Sequence, residues 1–213
     1  PGGPCALVIL LIVAGALVGL NSWDLPACWF LLVMSLLMAH RSWSAVLGLI
    51  FLLPASMLVL YLPHFLTAQS QVGGIAWNSF GFTHPAEWLR IFGLFLPGLV
   101  LLVLLGWHCP WGPRAEQKPP YRFALLLAGT GLLLVLGPEI AYVRDLFANR
   151  MNTVFKFYYQ AWLFLGLAGA FGVMAGLRRR RFRLVCGLGV GLALAGVTYT
   201  ATAVYTESLP RAH

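Results

Sequence analysis

Between Glu139 and Trp162 the chain reads EIAYVRDLFANRMNTVFKFYYQAW, which sets Glu139, Arg144, Asp145, Arg150, Asn152, Lys156 and Gln160 between two long apolar runs. Carboxylates of this kind can take a proton from a hydroxyl, and arginine and lysine can hold a phosphate, arginine through two bonds and lysine as a point charge. Ionisable groups are costly to keep near a bilayer, so a mixed-sign cluster at the end of an apolar run reads as a functional site. The competing reading is a loop whose charges pair among themselves in an internal salt-bridge network. Both hold together if Asp145 orients an arginine.

Spacing refines the chemistry. Pro138 is expected to end one apolar helix and Asn152 or Thr153 to cap the next, leaving free amides that favour an anion. Arg150 lies just before that start. Lys156 falls one turn inside it and Gln160 one turn further on the same face, with Tyr159 beside them. Together they suggest a phosphate-sized positive pocket at headgroup depth. Glu139, Arg144 and Asp145 could pair with its cations, or act on a divalent metal or a substrate hydroxyl.

A second polar stretch, Asn21-Ser22-Trp23-Asp24-Leu25-Pro26, joins two apolar runs with almost no spare residues. Pro26 suits the first turn of a helix and Asp24 is placed to cap it, which is the favoured reading. Otherwise Asp24 lines a cavity facing the larger loops. The loop from Pro63 to Trp88 carries Gln69, Ser70, Gln71, Trp77 and Phe80, and Gly73-Gly74 permits a sharp turn or a close backbone approach.

The elements that must position these groups follow from composition. The chain has 213 residues, 60% of them hydrophobic and only 9% charged, with mean hydropathy +0.84. Soluble domains carry about 25% charged residues, so a water-soluble fold of this size could not cover its surface. The expectation is an all-α, polytopic transmembrane helical bundle forming a single membrane domain over residues 1–213. About seven apolar runs, near 5–20, 25–40, 43–61, 88–107, 121–138, 157–177 and 184–204, approach the ~20 residues a span requires.

Net charge is +8, but much of the excess lies in Arg178–Arg181 with Arg183, between two apolar runs. That is the pattern of a cytoplasmic loop and argues against nucleic acid as a partner. His40-Arg41 and Arg114, Lys118 and Arg122 fall on the same side if each span is crossed once. Of the six acidic residues, Asp24, Glu87, Glu139, Asp145 and Glu207 then emerge on the opposite, extracytoplasmic face, and only Glu116 does not. Cys5, Cys28, Cys109 and Cys186 form no CxxC pair, and His108-Cys109 has no second metal-binding pair. The opening Pro-Gly-Gly-Pro, without an initiator Met or a basic signal start, suggests the C-terminal portion of a longer protein whose N-terminal half would be a partner.

RMNTVFKFYYQAW at 150–162, preceded by Glu139 and Asp145, resembles the YYY-domain family of prokaryotic membrane proteins. NSWDLP at 21–26 and LPHFLTAQSQVGGI at 62–75 are similar to further motifs of that family, in the same order. The family is grouped with C-type glycosyltransferases, multi-spanning enzymes that take sugars from polyprenyl-phosphate carriers at the outer membrane face. The resemblance implies a GT-C-like fold, with Arg150 and Lys156 holding the donor phosphate. Asn152, Tyr159 and Gln160 would shape the pocket, and Asp24, Glu139 and Asp145 would contact a metal or the acceptor. The family's upstream acidic and histidine motifs and its tyrosine-rich stretch have no counterpart here, so this portion alone would be inactive. Alternatives are a transporter or flippase for a lipid-linked or anionic solute, and a non-catalytic membrane subunit.

Overall fold

The computed structural model describes residues 8–9, 12–13, 15–17, 21, 23–39, 43–67, 73–107, 119–147 and 149–208. The expected first span, the His40-Arg41 loop, Gln69–Gln71, Cys5, and the loop carrying His108, Cys109, Arg114, Glu116 and Lys118 lie wholly or largely outside them.

The described chain is helical apart from one small strand pair, as its apolar composition predicts: a helix satisfies its backbone internally where lipid cannot. The order is α1 (Asp24–Met38), α2 (Trp43–Leu60), α3 (Leu62–Thr67), β1 (Ile75–Trp77), α4 (Pro85–Phe92), α5 (Leu96–Trp107), α6 (Pro119–Ile140), β2 (Ala141–Val143), α7 (Met151–Leu177) and α8 (Arg183–Ser208). Short 3₁₀ turns, Gly93–Phe95 and Arg180–Phe182, precede α5 and α8.

Four helical stretches among the described residues are long and apolar enough to cross a bilayer: Pro85–Gly106, Pro120–Ile140, Met151–Leu177 and Arg180–Thr198. They correspond to the last four expected runs. The runs at 25–40 and 43–61 also fold as apolar helices, α1 with 15 residues and α2 with 18.

The chain divides into two compact units, with α6 and α7 running on from one into the other. The first comprises residues 1–82 and 129–161. In it α1 packs on α2: Met57 is buried against Leu25, Trp29, Leu32 and Leu49, and the Trp29 indole donates to the Leu49 carbonyl. The strand pair also belongs here. β1 and β2 run antiparallel, with Ile75 opposite Val143, Ala76 opposite Tyr142 and Trp77 opposite Ala141. The pairing continues past both strands, because Gly73 N donates to Arg144 O at 2.7 Å and Arg144 N to Gly74 O at 2.8 Å. Gly74 sits at φ +99, where a side chain would be strained, so the glycine pair provides the close backbone approach its sequence permits.

The second unit comprises residues 83–128 and 162–213. Its core holds Leu101, Leu102, Leu165, Ala168 and Cys186, and α5 packs on α8. Here α5 and α7 cross almost backbone to backbone. A Cβ at Gly98 would meet the Gly169 carbonyl, and one at Gly172 would meet the Gly98 carbonyl. Phe95 fills the adjoining gap, its ring 5.2 Å from that of Trp162.

Candidate functional site

The chemistry-bearing residues lie in the first unit, at the end of α6, the start of α7 and the first turn of α1. Pro138 does not end its helix, contrary to the sequence expectation. α6 continues to Ile140, and the last carbonyls are taken up by groups from other segments. Arg150 Nη1 donates to Pro138 O at 3.4 Å, Asn78 Nδ2 to Glu139 O at 3.1 Å, and Asn78 N to Ile140 O at 2.9 Å. These orphan carbonyls would otherwise end the helix unsatisfied.

Arg150 also forms an ion pair with Glu139, Nη1 to Oε2 at 2.9 Å, and their side chains are only 15% and 3% exposed. A buried pair of this kind fixes geometry strongly, because neither charge tolerates loss of the other. The arginine's carboxylate partner is thus Glu139 rather than Asp145.

Asp145 instead closes the loop on itself. Its Oδ1 accepts from Phe147 N at 2.9 Å and its Oδ2 from Asn152 Nδ2 at 2.8 Å. α7 starts at Met151, and neither Asn152 nor Thr153 caps it. Asn149 Oδ1 takes the Met151 amide at 2.9 Å. Thr153, almost fully buried, accepts from Val143 N at 3.0 Å and so ties the helix start to β2. The sequence reading passed over Asn149, whose side chain closes a turn onto the amide two residues on, as asparagine commonly does. It also missed Asn78, whose Asn-x-x-Gly spacing to Gly81 marks a turn. That turn is made, with Asn78 Nδ2 donating to Gly81 O.

The Asp24 turn changes most. Asp24 does not cap α1: the capping position is Trp23, which makes no side-chain capping bond, and Asp24 occupies the first helical turn. Its Oδ1 accepts from Asn21 Nδ2 at 2.9 Å and from Gln160 Nε2 at 2.6 Å. Gln160 Nε2 reaches the Trp23 carbonyl as well, at 3.0 Å. One turn earlier on α7, the Lys156 ammonium lies 4.8 Å from the centre of the Trp23 ring, and that ring meets Phe157 edge-on at 6.0 Å. Asp24 thus ties the start of α1 to α7 through Gln160 instead of capping its own helix.

Of the nine predicted site residues, Asp24, Lys156 and Gln160 gather around Trp23, Glu139 pairs with Arg150, and Asp145 pairs with Asn152. Tyr159 is 74% exposed and joins neither group. Arg144 is exposed and contributes its backbone to the strand pairing. Among the described residues, Lys156, Arg144, Asp24 and Asp145 take part in no ion pair. The described residues bring no three His, Cys, Asp or Glu together as metal ligands.

No curated protein and no solved structure matches the chain. Residues 98–165, which carry Glu139 through Gln160 but not Asp24, match a family described as uncharacterized membrane protein (DUF2298). With four helices of spanning length and composition among its described residues, the chain is an integral membrane protein, all-α in class, similar over that segment to a membrane family of unknown function.

Proposed function

We propose that the Trp23–Asp24 turn and the start of α7 form the phosphate and acceptor site of a membrane glycosyltransferase. Its donor would be a polyprenyl-phosphate-linked sugar, used at the extracytoplasmic face. One observation carries this reading. Among the described residues, Asp24 is oriented by two neutral amides, Asn21 and Gln160, rather than by a cation, while Lys156 stands nearby with only an aromatic face for a partner. A carboxylate held this way keeps an oxygen for a proton, since among the described residues Oδ2 has no hydrogen-bond partner.

In the proposed reaction the acceptor hydroxyl attacks the anomeric carbon as Asp24 takes its proton. A new glycosidic C–O bond forms, the C–O bond to phosphate breaks, and polyprenyl phosphate leaves with its charge held by Lys156. Arg150, Glu139 and Asp145 act as positioning residues that fix the end of α6 and the start of α7. Asn152 acts through Asp145, and Arg144 and Tyr159 lie at the exposed margin.

The test uses protein from the complete reading frame in liposomes, with labelled polyprenyl-phosphate sugar and an acceptor. Asp24→Asn is expected to reduce transfer about 100-fold or more, the usual contribution of a positioned base. Lipid crossing that needs no sugar and is indifferent to Asp24→Asn and Asp145→Asn would defeat the enzyme reading in favour of a flippase. One feature favours that second reading: the Pro85–Gly106 span is broken by the 3₁₀ turn at Gly93–Phe95, and broken spans are common in transporters.

A further inference from the structure

We infer that Gln160 Oε1, together with Asp24, forms a subsite for a hydroxyl of the sugar carried by the lipid-linked phosphate. This rests on the phosphate-site reading above and adds a named contact to it. Gln160 is 6% exposed, and its two amide ends are treated very differently. Nε2 makes two hydrogen bonds, to Trp23 O and Asp24 Oδ1, whereas Oε1 is buried with no hydrogen-bond partner among the described residues. Turning the amide over does not help, because Oε1 would then face two acceptors and Nε2 would lose both bonds.

Buried polar atoms are almost always paired, so an orphaned acceptor asks for a donor from outside the described chain. The carboxylate that Nε2 bonds through Oδ1 offers a second acceptor, Asp24 Oδ2, also without a partner among the described residues. A carboxamide oxygen next to a carboxylate oxygen suits hydroxyl donors on a sugar ring. The spacing agrees. Lys156 and Gln160 are four residues apart on one face of α7, about 6 Å along the axis, roughly the reach from a phosphate across a pyranose. Both side chains converge on Trp23, the ammonium on its ring and the amide on its carbonyl. Lys156 is held there by a cation–π contact, weaker than a charge-assisted bond to phosphate, so an arriving anion would draw it off the ring and loosen the packing around Gln160.

The experiment measures binding to the protein in lipid nanodiscs free of glycosidic detergent. The probes are bare polyprenyl phosphate and the same lipid bearing glucose, mannose or galactose. At least one glycosylated lipid is expected to bind wild type about tenfold more tightly than the bare lipid, the value of one good hydrogen bond. Gln160→Met should remove that increment, so that the glycosylated lipid then binds no more tightly than the bare lipid. If Gln160→Met does not fold, wild type is tested with lipids whose sugar lacks one hydroxyl at a time. One such deletion should then abolish the increment. No sugar-dependent increment, an increment that survives Gln160→Met, or equal losses for bare and glycosylated lipid would each overturn the subsite. Failure of the bare lipid to bind wild type would instead overturn the phosphate reading beneath it.

Discussion

Glu139 and Arg150 show how the cluster divides its work. Their ion pair is buried and doubles as the closure of α6, so losing one partner strands a charge in an apolar setting. Arg150→Met is expected to lower stability by about 3–5 kcal/mol, read as thermal unfolding in detergent. Pairing it with Glu139→Gln should restore a large part of that loss, because the neutral double variant leaves no orphan charge. A loss in the double variant equal to the single one would mean that Arg150 acts mainly through Pro138 O. Lys156 is predicted to behave in the opposite manner. Lys156→Gln should change stability little, since it gives up only a contact to the Trp23 ring, worth about 0.5–2 kcal/mol, while weakening polyprenyl phosphate binding about tenfold. Residue types were legible in the sequence, whereas partners were not. Asp145 and Glu139 are both acids near Arg150, and only the run of α6 beyond Pro138 brings Glu139 to the guanidinium. Gln160 and Asp24 lie 136 residues apart, a separation no local pattern encodes.

At the scale of elements, the helices were read well and their ends poorly. Apolar runs fix where a helix belongs, but its last turn depends on which distant groups satisfy the backbone. Asn78 does so for α6 and Asn149 for α7. The strand pair was not foreseen, because three-residue strands carry no periodicity to detect. The crossing of α5 and α7 yields a sharper prediction. Gly98→Ala or Gly172→Ala places a methyl group against backbone that cannot yield, so each should destabilise by about 1–3 kcal/mol or more. Gly129→Ala, with nothing within 4 Å of the added carbon, serves as the control and should be neutral or slightly stabilising. Equal effects at all three positions in thermal unfolding would contradict the close crossing.

For the whole molecule, composition decided class, since so little charge leaves lipid as the only workable surroundings. The arginine run at 178–183 sets the orientation expected from the sequence. Single cysteines placed at Leu146 and at Arg180 are therefore expected to react with impermeant thiol reagents from opposite sides, Leu146→Cys from outside and Arg180→Cys only after permeabilisation. Labelling of both from one side would reverse or break the assigned topology. The last helix is the least embedded of the four spans, with only 6% of its apolar window buried, against 39–44% for the others. Leu184 on this helix is 90% exposed, so Leu184→Ala should cost little stability.

The account turns on Trp23, Asp24, Lys156 and Gln160 forming one site for a phosphorylated lipid. A photoactivatable polyprenyl phosphate, crosslinked in native membranes and mapped by peptide mass, addresses that claim directly. Label is expected on peptides containing Trp23 and Lys156, and Lys156→Gln should reduce it about tenfold at both when the lipid is subsaturating. Label spread along α8 and the arginine run, unchanged by Lys156→Gln, would contradict the account.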